Sequence, residues 1–197
     1  MNKILTIDTD NYSTSRIVKG KILNLVEEQN QILKQIMPKF DFSDESLDAK
    51  QISDDLIETL KAHKAFGIAA NQCGLMHRVF VVGAEDAYIT MFNPEILNIS
   101  DEVVHMPEYC LSFPFLELYI SRPESIVIRY QDVDGNVKTD KFSGLTARCC
   151  IHELEHLDGK TFHQNAKPLA LKTGLKKREK QIKNFARELV QSGHYNN

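Results

Sequence analysis

No apolar run in this chain approaches the roughly 20 residues that a membrane-spanning helix needs, so no membrane anchor is expected. The opening Met1-Asn2-Lys3-Ile4-Leu5-Thr6-Ile7 meets Asp8 and Asp10 at once, without the apolar centre of a secretory signal. Cysteine is scarce. Cys73, Cys110, Cys149 and Cys150 lack the spacing of a disulfide framework, and the adjacent two are poor partners for each other. A reducing, cytoplasmic setting is therefore expected, with at least one thiolate free for a metal. Neither sign of charge dominates: the net charge of −3 says little about partners, and DNA is not expected among them. Internal repeats and low-complexity tracts are missing as well.

What is present fits one domain. At 197 residues, with 42% hydrophobic and 26% charged positions, residues 1–197 suffice for a single domain with its own core. Charge is unevenly placed, because residues 167–187 hold eight Lys or Arg and one Glu, a local +7 against −10 elsewhere. Hydrophobic periodicity predicts a strand over residues 1–7 and an amphipathic helix over 22–36. A second helix is expected over 54–63, with Ser53 as its N-cap. Strands are expected at 78–82, 89–96, 103–104, 125–130 and 137–142, the last two joined by a turn at Asp132-Val133-Asp134-Gly135-Asn136. Gly144 leads into a helix that should stop at Gly159. A last, basic helix is predicted over about 175–190. The expected class is α+β: antiparallel sheets packed around a central helix, with a C-terminal amphipathic helix.

That central helix carries His152-Glu153-Leu154-Glu155-His156, an HExxH pentad. Two histidines four residues apart share one helix face and can grip one divalent ion, while Glu153, offset by about 100°, reaches it without binding. This is the arrangement for activating water at a metal. A protease of the HExxHxxGxxH type is disfavoured: Gly159 fits, but Phe162 stands where the third histidine should be, His163 comes one late, and no Met follows His156. Glu179 and Glu188 read as solvated partners of lysines. Cys149 shares the histidine face but lies about 10 Å along the axis from His156, too far for one ion. The third ligand must come from elsewhere.

Two upstream segments complete a pattern. Phe66-Gly67-Ile68-Ala69-Ala70-Asn71-Gln72 is a small-residue turn ending in an amide, and Glu108-Tyr109-Cys110-Leu111-Ser112 puts a cysteine on a non-helical segment. With the pentad they resemble, in order and separation, the GxGxAAxQ, EGCLS and HExxH motifs of peptide deformylase. The resemblance covers residues 53–162. It implies that Cys110, His152 and His156 bind one divalent metal ion per chain, natively Fe²⁺, with Zn²⁺ or Ni²⁺ as substitutes. It implies Glu153 as general base, and Gln72 and the Leu111 backbone N–H as donors to the formyl oxygen. The substrate would be the N-formylmethionyl end of a nascent chain, paired as an added strand beside Gly67. Phe66, Met106, Tyr109, Leu145 and Cys149 would line its binding site, and Arg122 would pair with Glu108 to orient the ligand loop. The setting implied is bacterial cytosol, or that of a phage-infected host.

Several residues depart from the pattern. Ala65 replaces a Gly, Asn71 a Pro, Ile151 a Gln and Glu155 an Asp, marking a divergent branch of the phage type. Tyr109 replaces the Gly beside the cysteine, and must either point away from the peptide or narrow the cleft. Two readings from other classes stand beside this one: an HExxH metallopeptidase, and a structural Cys-His₂ metal module with a closed site. His63, His77, His105, His163 and His194 are expected to be surface or structural. The basic helix is either a soluble face or, through Lys176, Lys177, Lys180 and Lys183, a contact to the ribosome.

Overall fold

The structure is a computed structural model, and it describes residues 20–85 and 87–192. The strand expected over residues 1–7, and His194, lie outside the described residues. Helix α1 (Ala49–His63) and helix α2 (Gly144–Leu157) sit on opposite faces of one antiparallel sheet. That sheet has the order β1 (Gly67–Ala69), β2 (Val79–Ala84), β3 (Ala87–Ile99), β6 (Ser125–Gln131), β7 (Val137–Ser143). Strands β4 (Val103–Glu108) and β5 (Leu118–Pro123) form a separate antiparallel pair, and α3 (Pro168–Gln191) follows α2.

Two-sided burial explains the unbroken apolar run of β2. Successive strand residues point to opposite faces, so Phe80 and Val82 join Ala147, Cys150, Ile151 and Leu157 of α2. Val79 and Val81 join Leu56 and Leu60 of α1. In β3 the register slips after Phe92, where Asn93 takes φ 51°. The Asn93 side chain holds that bulge, accepting from Phe40 N (2.7 Å) and donating to Phe40 O (2.9 Å) and Gln131 Oε1 (2.8 Å).

Four expectations are corrected. Residues 22–36 are not a helix but run extended, with only a 3-10 turn at Gln31–Lys34. Their backbone bonds go to neighbours instead: Lys21 N to Asp55 Oδ1, Leu23 N to Thr59 Oγ1 and Val26 N to Gln72 O, each 2.9 Å. Leu23 and Leu25 pack on the α1 side of the core and Ile32 on the α2 side, so tertiary contacts override a modest helix preference. Helix α1 starts five residues early because Asp48, not Ser53, caps it by accepting from Gln51 N at 2.9 Å. Ser53 is buried inside the helix, its hydroxyl 2.7 Å from that of Thr90. Helix α3 starts at Pro168, whose fixed φ suits a first turn, ahead of the apolar stripe that suggested 175. The β4–β5 pair is longer than the two residues expected at 103–104, with buried Leu118, Ile120 and Arg122 alternating along β5.

Candidate metal centre

Arg148, His152 and His156 recur at four-residue intervals along α2, so one stripe of the helix carries all three. Cys110 comes to that stripe from the loop after β4. The Cys110, His152 and His156 ligand atoms lie within 4.8 Å of one another, all buried, the only such cluster of possible metal-holding groups among the described residues. Cys110 Sγ is 3.2 Å from His156 Nε2. His152 Nδ1 is 3.2 Å from Glu108 Oε2, which turns Nε2 toward the cluster. One sulfur and two imidazoles at this spacing suit a divalent transition metal. Burial, then the neighbouring His152 and His163, keeps His156 far below the ordinary imidazole range, and so neutral as a ligand must be.

Glu153 faces the same space without joining the cluster. Its Oε2 is buried with no hydrogen-bond partner in the described structure, as expected of a carboxylate reserved for a substrate or water. Burial raises its pKa to about 7, with His152 opposing and Glu108 adding to the rise. Gly67 makes that placement possible. A Cβ at residue 67 would lie 2.5 Å from Glu153 Oε1 and 2.9 Å from its Cγ. Gly67 also belongs to β1, at the edge of the five-stranded sheet.

Gln72 sits in the 3-10 turn Ala70–Cys73 directly after β1. Its Oε1 accepts from Ala69 N at 2.8 Å, which aims Nε2 at Ser112 Oγ (3.0 Å) and Cys110 Sγ (3.6 Å). Asn71 donates to the His156 carbonyl at 2.7 Å, so the turn is fastened to α2 beside the ligand.

Glu108 is the hub that sets the Cys110 loop. Arg122 donates to it from Nε (2.9 Å) and Nη2 (3.0 Å), and Arg148 from Nη1 (2.6 Å). Burial opposes its charge, but His152 and Arg122 bring its pKa down to about 2. Arg122 reaches on to Glu155 (2.5 and 2.9 Å), which Asn165 also contacts. The Glu108–Arg122 pair was expected; the parts of Arg148, Ser112, Asn71 and Glu155 were not. For Arg148 a signal existed in its spacing from the histidines. For the others the partners are distant in sequence.

Glu108, Cys110, Arg148 and His152 line a cavity of about 440 Å³. Phe66, Gly67, Gln72, Tyr109, Leu111, Leu145, Cys149 and Glu153 line it too. Met106 does not: it pairs with Ile120 within the β4–β5 ribbon, and Pro107 takes its place at the wall. His63 also lines the cleft. Burial pushes the Cys149 thiol up to about 12 and that of Cys150 well above the ordinary thiol range, so both remain unreactive apolar groups. His163 stands apart, 3.3 Å from Thr161 Oγ1 and edge-on to Phe113.

Comparison with known proteins agrees with this geometry. The sequence model of the polypeptide deformylase family matches residues 22–172. A curated protein named peptide deformylase from Dictyoglomus thermophilum is 41% identical over 142 residues, 72% of this chain and 91% of that one. Among solved structures, a peptide deformylase from Synechococcus elongatus in complex with actinonin aligns with TM-score 0.75 at 28% identity, over 83% of this chain and 92% of that one. A Met-Ala-Ser-bound class I type b peptide deformylase from Acinetobacter baumannii aligns with TM-score 0.69 at 28% identity, over 73% and 98%.

Proposed function

The chain belongs to the polypeptide deformylase family, and from that membership we propose a role for each group in the cleft. The reaction is the metal-dependent removal of the N-formyl group from nascent polypeptides, with release of formate. Cys110, His152 and His156 hold the ion, Fe²⁺ natively with Zn²⁺ or Ni²⁺ as substitutes. When bound, the ion supplies Lewis acidity toward a carbonyl oxygen and toward water.

Glu153 is the general base and then the general acid. It takes a proton from the attacking water and returns it to the amine as the C–N bond breaks, leaving formate and a free methionine amine. A carboxyl group near pKa 7 suits both halves of that exchange. Gln72 Nε2 and the Leu111 backbone N–H donate to the formyl oxygen as charge builds on it. The edge of β1 at Gly67 pairs with the peptide backbone, and Phe66, Leu145 and Cys149 receive the methionine side chain. Glu108 with Arg122 and Arg148 fixes the Cys110 loop. The whole chain works as one catalytic unit, in bacterial or phage-infected cytosol. The exposed Lys176, Lys177, Lys180 and Lys183 of α3 meet ribosomal RNA, a contact that salt should weaken.

The buried Glu153 Oε2, without a hydrogen-bond partner in the described structure and beside three ligand atoms, carries this reading. A structural metal module has no use for it, and the cluster has three protein ligands and opens on a cleft, not a closed fourth position. The test is formate release from formyl-Met-Ala-Ser by protein loaded anaerobically with Fe²⁺ or Ni²⁺. Wild-type protein should release formate and Glu153→Ala should not. A wild type that releases none overturns the reading.

A further inference from the structure

Tyr109 directly precedes Cys110 and lines the cleft, yet it is 65% exposed, which places its ring at the mouth and not in the depth. The Tyr109 hydroxyl is turned toward the Glu117 carboxylate, with which Lys177 of α3 forms an ion pair. The helix is seated firmly there. A Cβ on Gly174 would come within 2.6 Å of Leu118 Cδ2 and 3.1 Å of the Glu117 carbonyl oxygen, so the α3 backbone rests on the start of β5. A ring backed by a seated helix and its ion pair is a preorganised surface that loses little freedom when a ligand packs on it.

We propose that Tyr109 is a specificity-determining wall for the residue that follows the formylmethionine, and that Glu117 and Lys177 are its positioning residues. The proposal rests on the deformylase reading. The formyl end must reach the buried Cys110, His152 and His156, so the methionine fills the depth of the cleft and the next side chain stands at the mouth. The Tyr109 face favours a flat apolar side chain packed against it. Lys64, also in the lining, disfavours a basic one.

The test compares kcat and KM on formyl-Met-Phe-Ser and formyl-Met-Ala-Ser for wild type and four variants. Wild type should show the lower KM for the Phe peptide, and Tyr109→Ala should reduce that preference about fivefold. Any change in kcat should be shared by both peptides. Tyr109→Phe and Glu117→Ala keep the ring but free it, and should each remove part of the preference. Glu117→Gln, which can still accept the hydroxyl, should restore it. A KM ratio unchanged in Tyr109→Ala overturns the wall. A ratio lost in Tyr109→Ala but intact in Glu117→Ala overturns the positioning role. An active wild type with no preference sinks this proposal alone, whereas no formate from either peptide sinks the deformylase reading with it.

Discussion

The centre is assembled from two halves held in different ways. Helix α2 supplies His152, His156 and Glu153 from a single turn and a half, with Ala147, Cys150 and Leu157 buried behind them against the sheet. The loop after β4 supplies Cys110 alone, and its anchorage is electrostatic: Glu108 bound by Arg122, Arg148 and His152. Helical periodicity and packing set the first half. Charges gathered from three separate elements set the second, so its geometry depends on ion pairs that lose their value if one member goes.

Breaking the hub should therefore have the largest effect. Glu108→Ala leaves Arg148 buried and short of its carboxylate, and should destabilise the protein by about 3–5 kcal/mol in thermal or denaturant unfolding. Metal affinity should fall by about 10–100-fold in a titration of the folded fraction, because Cys110 and His152 both lose their orientation. Equal metal affinity in folded Glu108→Ala would erase the distinction between the two halves.

The α2 half is tested at Gly67. Gly67→Ala pushes a methyl group against Glu153 Oε1 and Cγ, and should lower kcat by about 10²-fold through a displaced base. Metal stoichiometry should be retained, since no ligand is touched. Metal loss in this variant would mean that the two halves do not separate.

A smaller effect is expected at the tether between α3 and the N-terminal segment. Arg178 pairs with Glu28 and donates to the Pro114 carbonyl at 2.9 Å, linking the strip that bonds Gln72 O to the loop beyond Cys110. Arg178→Ala should cost about 1 kcal/mol or less, as both partners are partly exposed. The hydrogen bond from Arg178 holds Glu28 below its ordinary pKa of 4.5. A depressed carboxylate stabilises the fold above its unfolded pKa and loses that contribution as pH falls through the folded value. Unfolding curves of wild type and Arg178→Ala should thus differ at pH 7 and draw together as pH falls from 4.5 through the lower folded-state value. Parallel curves down to acid pH would show that the ion pair contributes nothing.

The two halves also differed in how far the sequence revealed them. HExxH declares itself because all its members lie within five residues and one helical turn brings them together. Cys110, Gln72 and Arg122 were found through a pattern of motifs; spacing alone could not have paired residues 38 to 46 positions apart. Asn71, Ser112 and Glu155 stayed hidden, because a short polar side chain shows nothing of its partner until the chain is folded. Met106 lies outside the cavity lining that its neighbour Pro107 joins, since adjacent strand residues point to opposite faces.

The expected helix at 22–36 failed where local preference competed with distant partners. Its apolar residues fit a helical face, but Asp55, Thr59 and Gln72 offered the backbone bonds at other places. By itself the sequence determined what short-range physics controls: the helix of the pentad, the β6–β7 hairpin with Gly135 at φ 84°, and the alternation of the strands. Tertiary structure alone decided how Cys110 meets α2, why Gly67 must lack a side chain, and which charges hold the loop. Those depend on approaches of a few ångströms between residues far apart in the chain, and no local rule encodes such distances.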